Sequence, residues 1–197
     1  MQSEIEILTP PFENNHPKIL ALRCPVKPFN FEEVVLARVD EVSTFVVQKR
    51  RDEHLTGRWL LAQALSKWDI SPDEIEVRRN QYRAPSLAFI HGIWKNTDLP
   101  SISIGHSDGW AYVALIENGW TIGIDGENKE RRIAENAFDM MASGEELDNL
   151  RANPELAIQT WTAKESVQKA MRLGMNFNPR KIEFPIVVVK FNFSIEN

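Results

Sequence analysis

Four charged side chains stand in two short segments whose spacing suits a metal and phosphate site. The segment WTAKESVQKAM contains Glu165 and Lys169, four positions apart, and the segment TIGIDGE contains Asp125 and Glu127, two positions apart. Carboxylate oxygens are hard ligands that suit Mg²⁺ bound with waters and phosphates. A lysine one helical turn from such a carboxylate can reach a phosphate oxygen beside the metal. The two segments therefore predict a magnesium–pyrophosphate site.

Periodicity predicts that each segment presents its charged residues on one face. Residues 161–171 fit a helix in which Glu165 and Lys169 lie together, opposite an apolar stripe that faces the core. That stripe consists of Ala163, Val167 and Ala170. Side chains alternate along an extended segment, so Asp125 and Glu127 point to the same face at the end of a strand. We therefore expect two ligands from a strand end and one from a helix.

Each of these features also has an ordinary structural explanation. A glutamate and a lysine at i,i+4 are most often a solvated helix pair that contributes about 0.2–0.5 kcal/mol. An Asp-x-Glu sequence at the end of a strand is most often an exposed turn. The joint occurrence of both patterns, together with the further motifs described below, favours the chemical interpretation.

Composition narrows the class of protein. The 197 residues are 43% hydrophobic and 26% charged, which is typical of a soluble globular chain of one domain or two small ones. The single cysteine, Cys24, excludes an internal disulfide framework and a cysteine-rich zinc site. A net charge of −5 argues against broad nucleic-acid binding. The chain shows neither a signal-peptide pattern nor an apolar run of membrane-spanning length, so we expect a cytoplasmic protein without a membrane partner.

The order of helical and strand-like segments predicts an α+β fold. Breaks at residues 105–109 and 118–119 divide residues 101–125 into three short strands, and Asp125 and Glu127 follow the third. The other predicted elements are mainly helix over residues 31–68, a helix over 130–152, the helix of Glu165 opened by Pro154, and two strands over 181–193. This order suggests two similar α+β halves, residues 1–119 and residues 120–197.

Local positive charge offers sites for an anionic ligand. Lys49, Arg50 and Arg51 are consecutive, and Arg58 lies about 20° from Arg51 on a continuous helix, so the two arginines could share a phosphate. His106 is predicted at the first turn of the strand region, where free backbone N–H groups also suit an anion. A solvated basic patch and a surface histidine are the structural alternatives.

Three motifs, in order, resemble those of a known enzyme family. They are I-G-H-S at residues 104–107, I-G-I-D-G-E at 122–127 and W-T-A-K-E-S-V-Q-K at 161–169. The sequence resembles the 4′-phosphopantetheinyl transferases of the larger, surfactin-synthetase-activating type. It departs from their pattern at Gly105, where the family has serine, and at residues 82–85, Tyr-Arg-Ala-Pro, which replace a glycine- and lysine-containing loop. In that loop Arg83 could supply the charge.

The resemblance implies a fold, a ligand and a set of residue roles. The fold is a pseudodimer of two similar α+β halves with coenzyme A bound in the cleft between them, and one chain then supplies a complete cleft as a monomer. The implied roles are magnesium ligation by Asp125, Glu127 and Glu165, pyrophosphate contact by Lys169, coenzyme A phosphate contact by His106, and 3′-phosphate binding by Arg51 and Arg58.

The implied reaction transfers the phosphopantetheine arm of coenzyme A to a serine of an acyl, peptidyl or polyketide carrier protein. The serine hydroxyl attacks the β-phosphate, and 3′,5′-ADP leaves. Glu165 or a metal-bound water would accept the hydroxyl proton, and Lys169 would stabilise the leaving group. The alternatives are a non-catalytic relative that binds coenzyme A or a carrier protein, and an unrelated metal-dependent phosphotransfer or hydrolysis enzyme.

Overall fold

The computed structural model of the chain describes residues 5–9 and 16–183. The strands of these residues are β1 (Glu6–Leu8), β2 (Ile19–Pro25), β3 (Ile75–Arg79), β4 (Pro85–Phe89), β5 (Ser101–Ser107) and β6 (Trp110–Ile116). The α-helices are α1 (Val39–Val42), α2 (Gln48–Lys67), α3 (Phe138–Met141), α4 (Gly144–Ala152) and α5 (Ala157–Ala170). The α+β class predicted from the sequence is confirmed, and none of these helices is long and apolar enough to cross a membrane.

A four-stranded antiparallel sheet in the order β1-β2-β6-β5 forms the main scaffold. Its central strands carry side chains that are buried on the inner face, among them Leu22 and Val113, which are paired in register. Helix α2 packs on this sheet with Leu60, Leu61 and Leu65, which are fully buried. The almost continuously apolar central strands and the buried leucines of α2 therefore form the main core.

Helix α2 is shorter than the helix predicted over residues 31–68. Residues 31–33 form a single 3₁₀ turn and residues 39–42 a single α-helical turn, before the long helix begins at Gln48. Asp69, just after the helix, has a φ of 62°. This left-handed conformation ends the helix because a further residue with these angles cannot continue the right-handed turn.

Strand β5 continues through the position where a turn was predicted. It runs to Ser107, so Gly105 and His106 lie within the strand and pair with Tyr112 and Ala111. The reversal occurs at residues 108–109, where both φ angles are positive, 46° and 80°. The prediction that His106 lies in a turn was therefore wrong, because an Asp-Gly pair supplies the conformations that a tight hairpin needs.

Residues 120–183 differ from the predicted second half. No strand forms at residues 121–125, and the predicted helix over 130–152 is divided into a 3₁₀ turn, α3 and α4. Residues 184–193 of the two predicted terminal strands lie outside the described residues, and residues 179–181 form a 3₁₀ turn. Two similar halves are not confirmed, and the boundary near residue 120 stays a prediction. A separate apolar cluster holds this region together: Phe138, Met141, Ala142, Leu150 and Ala157.

Candidate metal and phosphate site

The segment of residues 121–127 passes in extended form between the sheet and α5. The backbone N–H of Ile124 donates to Oγ of the buried Ser103 on β5, at 3.0 Å. A Cβ added at Gly123 would lie 1.8 Å from the backbone oxygen of Ser166 on α5. A Cβ at Gly126 would lie 2.6 Å from the Tyr112 ring. The two glycines therefore allow a close approach that any side chain would prevent.

After its first turn, where Ala157 and Ile158 are buried, helix α5 faces the protein interior with polar side chains rather than with the predicted apolar stripe. Ala163, Val167 and Ala170 are only partly buried, whereas Lys164 and Gln168 are buried. The ammonium of Lys164 donates to the carboxylate of Glu146 and to three carbonyls, those of Met141, Pro179 and Ile182. The predicted orientation of α5 was wrong because these hydrogen bonds satisfy a buried lysine that hydrophobic periodicity assigns to the surface.

The structure brings the three predicted carboxylates together. One ligand oxygen from each of Asp125, Glu127 and Glu165 lies within 4.8 Å of the other two. Oδ1 of Asp125 accepts from Nζ of Lys169 at 2.6 Å, while Oδ2 is buried and has no hydrogen-bond partner among the described residues. A buried carboxylate oxygen without a partner is costly, and a bound cation would satisfy it. The donor set, three hard oxygens, fits Mg²⁺.

The pKa of Glu165 is raised to about 7, chiefly because burial disfavours the charged form. The negative charge of Asp125 acts in the same direction, and Lys169 opposes it. At neutral pH a substantial fraction of Glu165 is therefore protonated in the metal-free protein. A cation between the three carboxylates would relieve their mutual repulsion.

Glu127 accepts hydrogen bonds from one neutral and one charged side chain. Ser107, at the end of β5, donates its hydroxyl to Oε2 at 2.8 Å, and Arg131 donates to the same oxygen at 2.8 Å. Glu127 thereby reaches the other carboxylates in a fixed orientation. Sequence reasoning did not identify this role of Ser107, although the residue lies in the I-G-H-S motif.

A cleft of about 560 Å³ adjoins the carboxylates and is rich in positive charge. The only acidic side chain that lines it among the described residues is Glu53. Its cationic lining residues are Arg50, Arg58, Arg79, Arg83, Lys169 and Arg172, and two histidines, His54 and His106, also contribute. Burial lowers the pKa of His54 to about 4. A cleft of this charge next to hard ligands suits a ligand with several phosphates.

The predicted phosphate-binding residues do not all reach this cleft. Arg58 and His106 line it together with Lys169, whereas Arg51 lines a separate recess of about 530 Å³. Arg58 is only 1% exposed and donates to Glu41 at 2.7 Å, while its Nε and Nη1 have no hydrogen-bond partner among the described residues. A phosphate shared by Arg51 and Arg58 is therefore not supported by their positions, and Arg50 replaces Arg51 in the cleft.

The two segments that carry the carboxylates belong to a region with a recognisable family pattern. Residues 121–190 match the 4′-phosphopantetheinyl transferase superfamily. The resemblance that the motifs indicated is therefore confirmed for this part of the chain, which contains Asp125, Glu127, Glu165 and Lys169. The match does not distinguish the larger, surfactin-synthetase-activating type. A search of curated proteins found no match.

Gly105 and the loop of residues 82–85, which lie outside the matched region, have a clear place in the structure. A Cβ at Gly105 would lie 3.0 Å from Nζ of Lys169 and 3.1 Å from the carbonyl oxygen of Ile124, so glycine leaves room for this lysine. The altered loop forms the tip of the β3–β4 hairpin, where Arg83 has a φ of 67° and lines the cleft. The loop thus contributes a charge to the cleft without the lysine of the superfamily pattern.

Proposed function

We propose that the protein is a Mg²⁺-dependent 4′-phosphopantetheinyl transferase that modifies a serine of an acyl, peptidyl or polyketide carrier protein. The observation that carries this proposal is the cluster of Asp125, Glu127 and Glu165 beside Lys169, which itself lines a basic cleft. The superfamily match over the same residues supports it. Coenzyme A is the donor substrate in this proposal.

Asp125, Glu127 and Glu165 are the residues that would hold Mg²⁺. When bound, the ion supplies a positive charge that offsets the charge developing on the pyrophosphate. The unpartnered Oδ2 of Asp125 and the raised pKa of Glu165 both fit a cation at this place. Ser107 and Arg131 keep Glu127 oriented, so the chain provides a preformed ligand set.

In the proposed step, the carrier serine oxygen forms a bond to the β-phosphorus of coenzyme A. The bond from that phosphorus to the bridging oxygen of the pyrophosphate breaks, and 3′,5′-ADP leaves with that oxygen. Lys169 stabilises the negative charge of the leaving group. The serine proton passes to a base, and the carboxylate of Glu165 is the candidate that this chain supplies.

The remaining cations of the cleft would hold the nucleotide part of coenzyme A. Arg50, Arg79, Arg83 and Arg172 line it together with His106 and offer several donors to phosphate oxygens. We propose that the protein acts as a monomer. We place the protein in the cytoplasm, where coenzyme A is available.

Incubation with an apo carrier protein, coenzyme A and Mg²⁺, followed by mass spectrometry of the carrier, tests this function. We expect the carrier to gain the mass of one phosphopantetheine arm, and we expect EDTA to prevent the gain. A carrier whose target serine is replaced by alanine is the control. No gain of mass with acyl, peptidyl and polyketide carriers would contradict the proposal.

A binding function without transfer is the second candidate. Glu41 contacts Arg58 at 2.7 Å and Arg79 at 2.6 Å, so it neutralises part of the positive charge of the cleft. A protein that only binds coenzyme A has no need of metal ligands, so the three carboxylates favour the transferase over this candidate. Coenzyme A that binds equally well with and without Mg²⁺, without any carrier modification, would favour this candidate.

A further inference from the structure

Helix α2 carries a carboxylate at a place where burial is costly. Glu53 lies in the first turns of the helix, is only 4% exposed and lines the basic cleft. A buried carboxylate destabilises the fold unless charged or hydrogen-bonding partners surround it. Its neighbours on the same helix, Lys49 and Arg50, are mostly exposed, at 4.0 Å and 3.2 Å. Lys49 and Arg50 can offset the negative charge of Glu53, but they do not explain why its carboxylate faces the cleft.

The third neighbour of Glu53 comes from strand β5 rather than from α2. Nδ1 of His106, on β5, lies 3.4 Å from Oε2 of Glu53. The histidine is partly exposed and lines the same cleft as Lys169. A carboxylate beside one ring nitrogen of a histidine selects the tautomer and leaves the other nitrogen to act on a ligand. Glu53 and His106 have this arrangement.

We propose that Glu53 is a positioning residue that holds His106 with Nδ1 towards α2 and directs Nε2 into the cleft, towards a phosphate of the ligand. The identity of that ligand as coenzyme A rests on the proposed function. The orientation of the ring and its tautomer do not depend on that function. Sequence reasoning assigned His106 to a phosphate but did not identify Glu53, because its position on α2 gives no sign of a partner on β5.

The charges around His106 explain how it would receive a phosphate. Glu53 faces the ring from α2 with Arg50, Lys169 faces it from α5, and Asp125 from the segment after β6. Burial lowers the pKa of His106, and Arg50 and Lys169 act in the same direction, whereas Glu53 opposes them. In the proposed arrangement the neutral ring carries its proton at Nδ1, beside Glu53. A phosphate at Nε2 favours a second proton there, and Glu53 balances the resulting charge.

NMR of the imidazole nitrogens tests the positioning directly. At about pH 8, where histidine is mostly neutral, the wild-type protein should show His106 protonated at Nδ1. Glu53→Met removes the acceptor, and His106 should then shift towards the Nε2-protonated form. Asp52 is the neighbouring carboxylate on α2 and accepts a hydrogen bond from Gln48 instead. Asp52→Asn is therefore the matched control and should leave the tautomer of His106 unchanged. Nε2 protonation in the wild type, or the same tautomer in Glu53→Met, would overturn the proposal.

A double-mutant cycle on coenzyme A affinity tests the consequence for binding. Glu53→Gln and His106→Asn should each weaken binding about tenfold, as expected for loss of a charge-assisted hydrogen bond. The double variant should bind no more weakly than His106→Asn alone, because Glu53 acts through the histidine. Thermal unfolding of Glu53→Gln checks the fold. Additive losses of affinity in the double variant would overturn the positioning role of Glu53. A wild-type protein that binds no coenzyme A would contradict the proposed ligand but would not affect the tautomer result.

Discussion

At the scale of single residues, Glu165 shows what it costs the metal-free site to bury a carboxylate beside other carboxylates. Its folded-state pKa of about 7 lies above the ordinary value of 4.5. Between these two values the folded protein binds more protons than the unfolded chain, so its stability falls as the pH rises through this window. Above pH 7 the cost is fully present, and a cation among the three carboxylates would remove it.

Replacement of Glu165 by glutamine should therefore separate stability from function. The metal-free variant should be more stable than the wild type above pH 7, by about 1 kcal/mol after allowance for the partial exposure of the carboxyl. The difference should vanish below about pH 4.5. Carrier modification and Mg²⁺ binding should both be lost. Chemical denaturation at several pH values measures the first effect, and retained metal binding would contradict a ligand role for Glu165.

Gly105 has no side chain, and this leaves the space that Nζ of Lys169 occupies. Gly105→Ala puts a methyl group 3.0 Å from Nζ of Lys169 and 3.1 Å from the carbonyl of Ile124, which pushes the lysine away from Asp125. We expect carrier modification about tenfold slower, equivalent to loss of one charged contact. Gly105→Ser should also slow the reaction. Ser101→Ala, at the far end of β5, is the control, and an unchanged rate for Gly105→Ala would contradict this role.

At the scale of elements, the site depends on where α5 lies relative to its neighbours. Lys164 anchors this helix, because its fully buried ammonium contacts Glu146 near the start of α4 and carbonyls on either side of α5. Glu165 follows it directly in the chain. The lysine thus sets the rotation of the helix, and with it the direction of the metal ligand.

Lys164→Met should destabilise the fold by about 3 kcal/mol or more, because the charge of Glu146 and three carbonyls lose their partner. Urea denaturation measures the change. Lys129→Met removes a lysine that is 91% exposed, and should cost less than about 0.5 kcal/mol. Lys164→Met combined with Glu146→Gln should recover part of the loss. A change in stability as small as that of the control would contradict the anchoring role.

The site also requires the close contact between residues 121–127 and α5. Gly123→Ala cannot keep the present contact with Ser166, since the added carbon would lie 1.8 Å from its backbone oxygen. The segment and the helix must separate, so Asp125 and Glu127 move away from Glu165. We expect the affinity for Mg²⁺, measured by titration calorimetry, to fall at least about tenfold.

Gly57→Ala provides the matched control for that change. Its added carbon would meet only a side-chain methyl of Ile104, at 3.1 Å, away from the carboxylates. Metal affinity should stay at the wild-type value in this variant. Equal metal affinity in Gly123→Ala and the wild type would show that the close approach is unnecessary for the site.

At the scale of the whole molecule, the cleft joins parts that are distant in the chain. Arg50 and Glu53 come from α2, His106 from β5, and Lys169 from α5. A ligand that contacts all of them binds only the folded chain, and therefore stabilises it by mass action. Coenzyme A with Mg²⁺, at about 100 times its dissociation constant, should add about 2.7 kcal/mol to the free energy of unfolding.

Differential scanning calorimetry with and without the ligands measures this effect. The melting temperature should rise with coenzyme A and Mg²⁺ together, and EDTA should remove most of the shift. Coenzyme A without its 3′-phosphate distinguishes the nucleotide contacts from the pyrophosphate contacts. An unchanged melting temperature at saturating ligand would contradict binding in this cleft.

The sequence by itself determined which residues form the candidate site. Spacing along a helix and along an extended segment, together with the motifs, selected Asp125, Glu127, Glu165 and Lys169, since local geometry depends on nearby residues. It also indicated the α+β class and the superfamily. These properties are local, and a pattern a few residues long can specify them.

Only the tertiary structure decided which faces and partners these residues have. The orientation of α5 follows from a buried lysine whose acceptors lie on other segments, and hydrophobic periodicity cannot reveal such a partner. Arg51 lies on α2 with Arg58, as predicted, but it lines a separate recess together with residues 28–33, which the sequence did not reveal. Glu53 and His106 meet only because α2 packs across β5. Contacts between distant segments depend on packing, and no short sequence pattern specifies it.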